Sequence, residues 1–311
     1  MRTRYALLLW LVPACLVQAQ VQEAALWQFP LDSLGQAHLV LRAENDAYQP
    51  IQLLRYSDFA YTAGNAVAYL GPGARTSHGA YRRWQVGLAQ WIFTPLDLKA
   101  ETPVPGARPY AGLLLLSGHV AWHGEQRRWQ VGLAAGVLGP ASGGGATQRF
   151  IHRTFGFVRP RGWADELPNT AVAQAYALAE WRLGPGPAWF WASAELGNLW
   201  RRAGLGLVAQ PWLGAARRWQ GALQAGALWV EHQGLLSAEP PTGATTRVPP
   251  SAVAPVVGVA ELRLARARRD PSRPGLELGF AAQTGEHTAD LSFHYRGRLT
   301  LLLPLGRATA R

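Results

Sequence analysis

Twelve segments in which side-chain character alternates with a period of two, each bounded by turn residues, constrain the fold of this chain more than anything else in it. They lie at 37–44, 61–70, 84–93, 112–122, 128–137, 172–183, 188–197, 203–213, 218–230, 253–266, 275–284 and 291–304. A period of two places successive side chains on opposite faces of a strand. Trp84, Val86 and Leu88 alternate cleanly, as do Trp129, Val131 and Leu133. Compact turns join several pairs: HGEQRR at 123–128, GPGP at 184–187 and GAARR at 214–218. No internal run reaches the roughly 20 apolar residues that a membrane helix requires. Charged residues make up only 16%, beside 14 Trp and 34 Gly, where a soluble domain carries about 25% charge. Such a chain suggests a membrane β-barrel; on composition alone a soluble β-sandwich stays open. An even strand number closes an up-and-down barrel without exposed edges. The expected fold is all-β, a 12-stranded antiparallel transmembrane β-barrel. Trp91, Phe93, Trp181, Trp189, Trp191 and Trp212 lie near strand ends and predict aromatic girdles. The presumed lumen-facing positions read as low in charge, which argues against a wide polar channel.

The first 19 residues read as an export leader. Arg2 and Arg4 form its basic region, Ala6 to Val12 its apolar region, and Val17-Gln18-Ala19 a cleavage site. Residues 20–311 are then a single barrel domain. The one cysteine, Cys15, falls within the leader, so disulfides and thiolate metal sites are not expected in the mature chain. Net charge is +11, or +9 without Arg2 and Arg4, and Lys99 is the only lysine. Arginine binds phosphate with a planar fork, so the expected partners are outer-membrane lipids and lipopolysaccharide. Nucleic acid is not expected, because no recognition helix or aromatic-basic single-strand module is present. The bland reading of many arginines is a solvated charge beside a turn.

Strand parity sorts the connections. Those after odd-numbered strands share one end of the barrel and include 45–60, 94–111, 138–171 and 231–252, the longest in the chain. Long loops face outward and short turns face the periplasm in outer-membrane barrels. Four polar clusters fall at the long-loop end: RAENDAYQP with Asn45 and Asp46; SDFAYTAG with Asp58, Tyr61, Thr62 and Gly64; FTPLDL…GARPYAG with Asp97, Arg108, Tyr110 and Gly112; and GGGATQRFIHRTFG followed by RGWADEL. Gln148 and His152 in the last are four residues apart, so a helix there would carry both on one face. The glycine run reads as a flexible lead into that short extracellular helix.

In order and spacing, ENDAY, SDFAYTAG, FTPLDL, RPYAG, VLGPASGG…Q…H, GW…L and GNLWRRAGLG resemble the outer-membrane lipid A 3'-O-deacylase family, from about Glu44 to Gly206. The resemblance implies a 12-stranded barrel and a calcium-dependent hydrolase that removes the 3'-linked acyloxyacyl group of lipid A. It implies site positions at Asn45, Asp46, Thr62, Gln148, His152 and Arg108. It departs after His152: the family often carries an acid a few residues on, and here none precedes Asp165.

The residues suit that chemistry. A neutral His152 can act as general base, and Gln148 can orient the water or the ester. No G-x-S-x-G elbow is present, so attack by water is favoured over an acyl-enzyme; Thr62 as nucleophile is the weaker option. Calcium prefers oxygen donors, here Asn45, Asp46 and loop carbonyls. Arg108 can hold a lipid A phosphate bidentately, with Tyr110 beside it. The expected protein is a monomer of the Gram-negative outer membrane with its site facing outward. The alternatives are an outer-membrane phospholipase, or a non-catalytic structural or porin-like barrel.

Overall fold

The computed structural model describes residues 36–45, 63–95, 97–101, 108–213, 219–237, 253–266, 273–284 and 293–305. Twelve long strands follow one another: β1 (Ala37–Asn45), β2 (Ala63–Leu70), β3 (Tyr81–Phe93), β4 (Ala111–His123), β5 (Arg127–Leu138), β6 (Thr170–Arg182), β7 (Ala188–Gly197), β8 (Trp200–Ala209), β9 (Trp219–Gln233), β10 (Val256–Arg266), β11 (Gly275–Thr284) and β12 (Phe293–Leu305). Each pairs antiparallel with its neighbours in sequence, and β12 pairs with β1 from Ala37↔Leu305 to Asn45↔Gly297, which closes the barrel. Two-residue segments, Ala74–Arg75 and Trp212–Leu213, add to β3 and β9. No described helix is long and apolar enough to cross a membrane. A 13-residue strand such as β3, rising ~3.3 Å per residue and tilted ~45°, spans about 30 Å, enough for the ~25 Å apolar band of an outer-membrane barrel.

The eighth strand is displaced from its expected position: it starts at Trp200 and stops at Ala209. The turn before it explains the early start. Gln174 Oε1 on β6 accepts from the backbone N–H of Leu199 and of Trp200, and Asn198 Nδ2 donates to the Ala171 carbonyl. This clasp holds the chain against β6 and lets pairing begin at once. Pro211 then lacks the N–H that a continuing strand needs.

Barrel closure inverts the usual rule of burial. Leu116, Val131, Leu133, Leu205, Leu207, Leu262 and Leu301 face outward and are exposed, as a lipid-facing surface requires. Arg42, Glu44, Glu261, Arg263, Glu277, Arg296 and Arg298 are buried in the lumen. The expectation of a weakly charged lumen is therefore overturned. Arg298 pairs with Glu261 and reaches Glu44 at 3.7 Å and Glu277 at 4.0 Å; Arg296 lies 3.9 Å from Glu44. These groups come from four strands, and their side chains fill the space. Toward the long-loop end the lumen is apolar, packed by Phe93, Leu113, Leu115, Leu138, Tyr176, Trp200 and Leu235.

The aromatic girdle also differs from expectation. Phe93, Trp189 and Trp191 have inward parity and are buried; the side chain of Trp212 lies outside the described residues. The girdle at the short-turn end is built by the outward residues of the same strands. Trp122 stacks on Trp129 at 4.0 Å, Tyr69 meets Trp84 at 5.3 Å, and Trp181 meets Phe190 at 5.7 Å. Nearness to a strand end does not fix the face; the register does.

Candidate active site

The 31 residues between β5 and β6 fold onto the outside of the barrel. Gly139 leaves β5 at φ 100°, and Pro140 opens a 3-10 turn over Pro140–Ser142. Gly143, at φ 73° in the left-handed region, redirects the chain into helix α1 (Gly144–Phe155). Gly156, at φ 70°, ends the helix with its N–H on the His152 carbonyl, the expected role of a C-terminal glycine. His152 and Arg153 occupy the last turn, where positive charge complements the helix dipole.

The helix lies against the outward surface of β3 and β4. Ile92 and Gly112 have the outward parity of Leu88 and Leu116. Gln90, also outward, donates from Nε2 to the Ser142 carbonyl at 2.7 Å. A Cβ on Gly144 would stand 2.6 Å from Gly112 Cα, so the two backbones touch. The glycine run is therefore a tight packing surface, and the expectation of a flexible lead is corrected. Ile92, Leu98, Tyr110 and Trp163 form a small apolar cluster beside the helix. Backbone bonds from Arg161 N to Leu98 O and from Leu167 N to Tyr110 O, both 3.0 Å, knit the two long connections together.

Gln148 and His152 share the buried face of α1 with Gly144 and Gly145, as their one-turn spacing predicts. Gln148 is 1% exposed. Its Oε1 accepts from Trp163 Nε1 at 2.7 Å. Indole nitrogen only donates, so the amide orientation is settled, and Nε2 has no hydrogen-bond partner among the described residues. His152 Nδ1 lies 2.5 Å from the Val158 carbonyl. A carbonyl only accepts, so Nδ1 is the donor, and in the neutral ring the lone pair lies on Nε2. The ring of Phe157 meets the imidazole edge-on at 5.7 Å.

Glu166, in the connection after α1, accepts on Oε1 from Gly112 N–H at 3.0 Å. Burial raises its carboxyl above the ordinary carboxylate range, against the lowering effects of Gly112 N–H and Arg149. Tyr110 is a buried wall residue, its hydroxyl donating to Leu98 O at 3.4 Å and its ring 5.0 Å from Trp163. Arg108 sits over the lumen-facing ring of Phe93, 5.5 Å from its centroid. Asn45 has outward parity on β1. It pairs with Ala63, Ala63 with Ile92, and Ile92 with Gly112. It thus shares the helix's row of the outer wall, three strand spacings or ~14 Å from Gly112. Asp46 and Thr62 lie outside the described residues. The structure therefore unites Gln148, His152, Tyr110 and Trp163, places Asn45 on the same wall, and turns Arg108 toward the lumen. Sequence reasoning missed Trp163 as the residue holding Gln148, and Gln90 as an anchor. The available sign for Gln90 was a polar residue on an otherwise apolar outward row.

Among the described residues no three His, Cys, Asp or Glu side chains cluster as metal ligands. The Val158 carbonyl is taken by Nδ1, and one Glu166 oxygen by Gly112. Calcium takes about six to eight oxygen donors, and Asp46, the carboxylate expected among them, lies outside the described residues.

Fold and site define a class: a Gram-negative outer-membrane barrel that carries a polar site on the lipid-facing side of its long-loop rim. A family profile described as outer membrane protein LpxR matches residues 6–211. The chain belongs to this family, the outer-membrane lipid A deacylases. Among solved structures, LpxR from Salmonella typhimurium superposes with a TM-score of 0.72 at 17% identity, over 86% of this chain and 99% of that one. The translocator domain of the autotransporter NalP from Neisseria meningitidis reaches a TM-score of 0.46 at 9% identity, over 91% and 92% of the two chains. No curated protein matches significantly by sequence.

Proposed function

We propose that this chain hydrolyses the 3'-O-linked acyloxyacyl ester of lipid A in the outer leaflet, with His152 as general base. The observation that carries the reading is the histidine's tautomer. Nδ1–H is committed to the Val158 carbonyl, so the basic Nε2 is left for a water molecule, on the barrel face where lipid lies. Nε2 takes a proton as that water attacks the ester carbonyl. The bond to the sugar 3'-oxygen then breaks, His152 returns the proton to that oxygen, and a free acid and a 3'-hydroxyl result. The Gln148 Nε2 donors, which lack a partner among the described residues, orient the water or the ester oxygen. Asn45, Asp46 and Thr62 complete the site, and Arg108 holds a phosphate by turning from Phe93. Calcium at Asn45 and Asp46 is a separable part of the proposal; bound there it would polarise the ester carbonyl. The enzyme acts as a monomer.

The test is mass spectrometry of lipid A from cells that make the wild type or His152→Ala, with assembly of both checked by heat-modifiable gel mobility. The wild type removes the 3' acyl group and the variant leaves it. An unchanged acyl pattern with assembled wild type rejects the reading. Full activity in chelator rejects the calcium part alone.

A further inference from the structure

Helix α1 and the segment after it obey the burial rule of the barrel strands rather than that of a water-washed loop. The inward residues of α1 are polar, Gln148 and His152, and both are buried. Large apolar residues of the helix and of the segment after it are left exposed instead. Phe155 is 67% exposed, Phe150 60%, Val158 49% and Phe157 44%; the lipid-facing Leu133 of β5 is 67% exposed. Phe150 lies about 200° around the helix from Gln148, facing away from the wall. Phe155 and Phe157 stack at 5.9 Å next to His152. An apolar patch of this kind, beside a barrel wall, marks a surface whose solvent is not water.

Charge supplies a second argument. From Gly139 to Ala164 the chain contains no Asp or Glu, yet it carries Arg149, Arg153, Arg159 and Arg161. Arg161 pairs with Glu101, while Arg153 and Arg159 are exposed. Cations fringing an apolar face are the pattern of a helix lying in an anionic membrane interface. The patch is also continuous with an interface the barrel already has, because α1 is packed on the outward side of β3 and β4 through Gly112 and Gln90.

We propose that Phe150, Phe155, Phe157 and Val158 are immersed in the acyl chains of the outer leaflet, with Arg153 and Arg159 on its phosphates, so that α1 is an interfacial helix. This stands apart from the catalytic reading and needs only the barrel.

Its test uses the full chain with Cys15→Ser, refolded into vesicles of phosphatidylethanolamine, phosphatidylglycerol and lipopolysaccharide. Folding is confirmed by heat-modifiable mobility. Spin labels go on Phe150→Cys or Phe155→Cys, with Leu133→Cys as the lipid control and Gly186→Cys as the aqueous control. Collision rates with oxygen and with a water-soluble nickel chelate are compared. Oxygen collisions exceed nickel collisions at 150 and 155, as at 133 and opposite to 186. If either label behaves like 186, the immersion is overturned. Dipolar broadening between labels at 155 would instead make the patch a contact between two copies, which also overturns it. With Arg153→Glu and Arg159→Glu together, the oxygen-to-nickel ratio at 155 falls; an unchanged ratio overturns the arginine part.

Discussion

Replacing Gly144 with alanine tests whether the catalytic geometry depends on backbone contact between helix and wall. The new Cβ would meet Gly112 Cα at 2.6 Å, whereas relaxed carbon atoms sit about 3.5–4.0 Å apart. Neither contact atom belongs to a flexible side chain, so the start of α1 must lift by roughly 1 Å. Gln148 and His152 are carried on the same rigid helix, one and two turns on. A displacement of about 1 Å at a reacting centre costs on the order of 100-fold in rate. The assay is the rate of lipid A deacylation by refolded protein in lipopolysaccharide vesicles, read by mass spectrometry. Gly186→Ala is the control, since a Cβ there meets nothing within 4 Å. Both variants should form the barrel, and only Gly144→Ala should slow. A Gly144→Ala rate equal to the wild type's would refute the reasoning, since the helix would then not need its contact with Gly112.

Two further outcomes follow from buried charge. Glu166 has a raised carboxyl pKa, so the folded state holds this proton more tightly than the unfolded chain does. The stability it contributes is fully present below its unfolded value of about 4.3 and is lost as pH rises through the raised value. Glu166→Gln keeps an acceptor for Gly112 N–H and should flatten this dependence, read by amide exchange over 139–169 corrected for intrinsic pH effects; an unaltered profile refutes the assignment. Arg298→Ala leaves Glu44, Glu261 and Glu277 without the cation they share. Removing one partner of a buried ionic set costs about 3–5 kcal/mol, so the urea midpoint in vesicles should fall clearly, and a change near zero would show that the carboxylates are otherwise compensated.

The barrel was legible because strand periodicity is local: Trp84-Val86-Leu88 announces its outward face without knowledge of any neighbour. Parity then set Asn45 and Gly112 at one end, and the strand register has them in one row. The lumen was not legible for the opposite reason. Glu44, Glu261 and Arg298 are more than 200 residues apart at the extremes, and only closure of β12 on β1 brings them together. The helix at Gln148 and His152 could be read from spacing and glycine boundaries. The purpose of Gly144 could not, because its partner Gly112 lies on β4, 32 residues earlier in the chain. Trp163 shows the same limit: a tryptophan in a loop reads as an anchor until the atom it bonds, Gln148 Oε1, is seen.

The partner of His152 has a consequence for inheritance. Where a carboxylate orients a histidine, one codon change can delete it. Here the acceptor belongs to the main chain at Val158, which every amino acid supplies. The proton's place on the imidazole is thus encoded in the path of the loop after Gly156, and the side chain at 158 is free to answer to other demands.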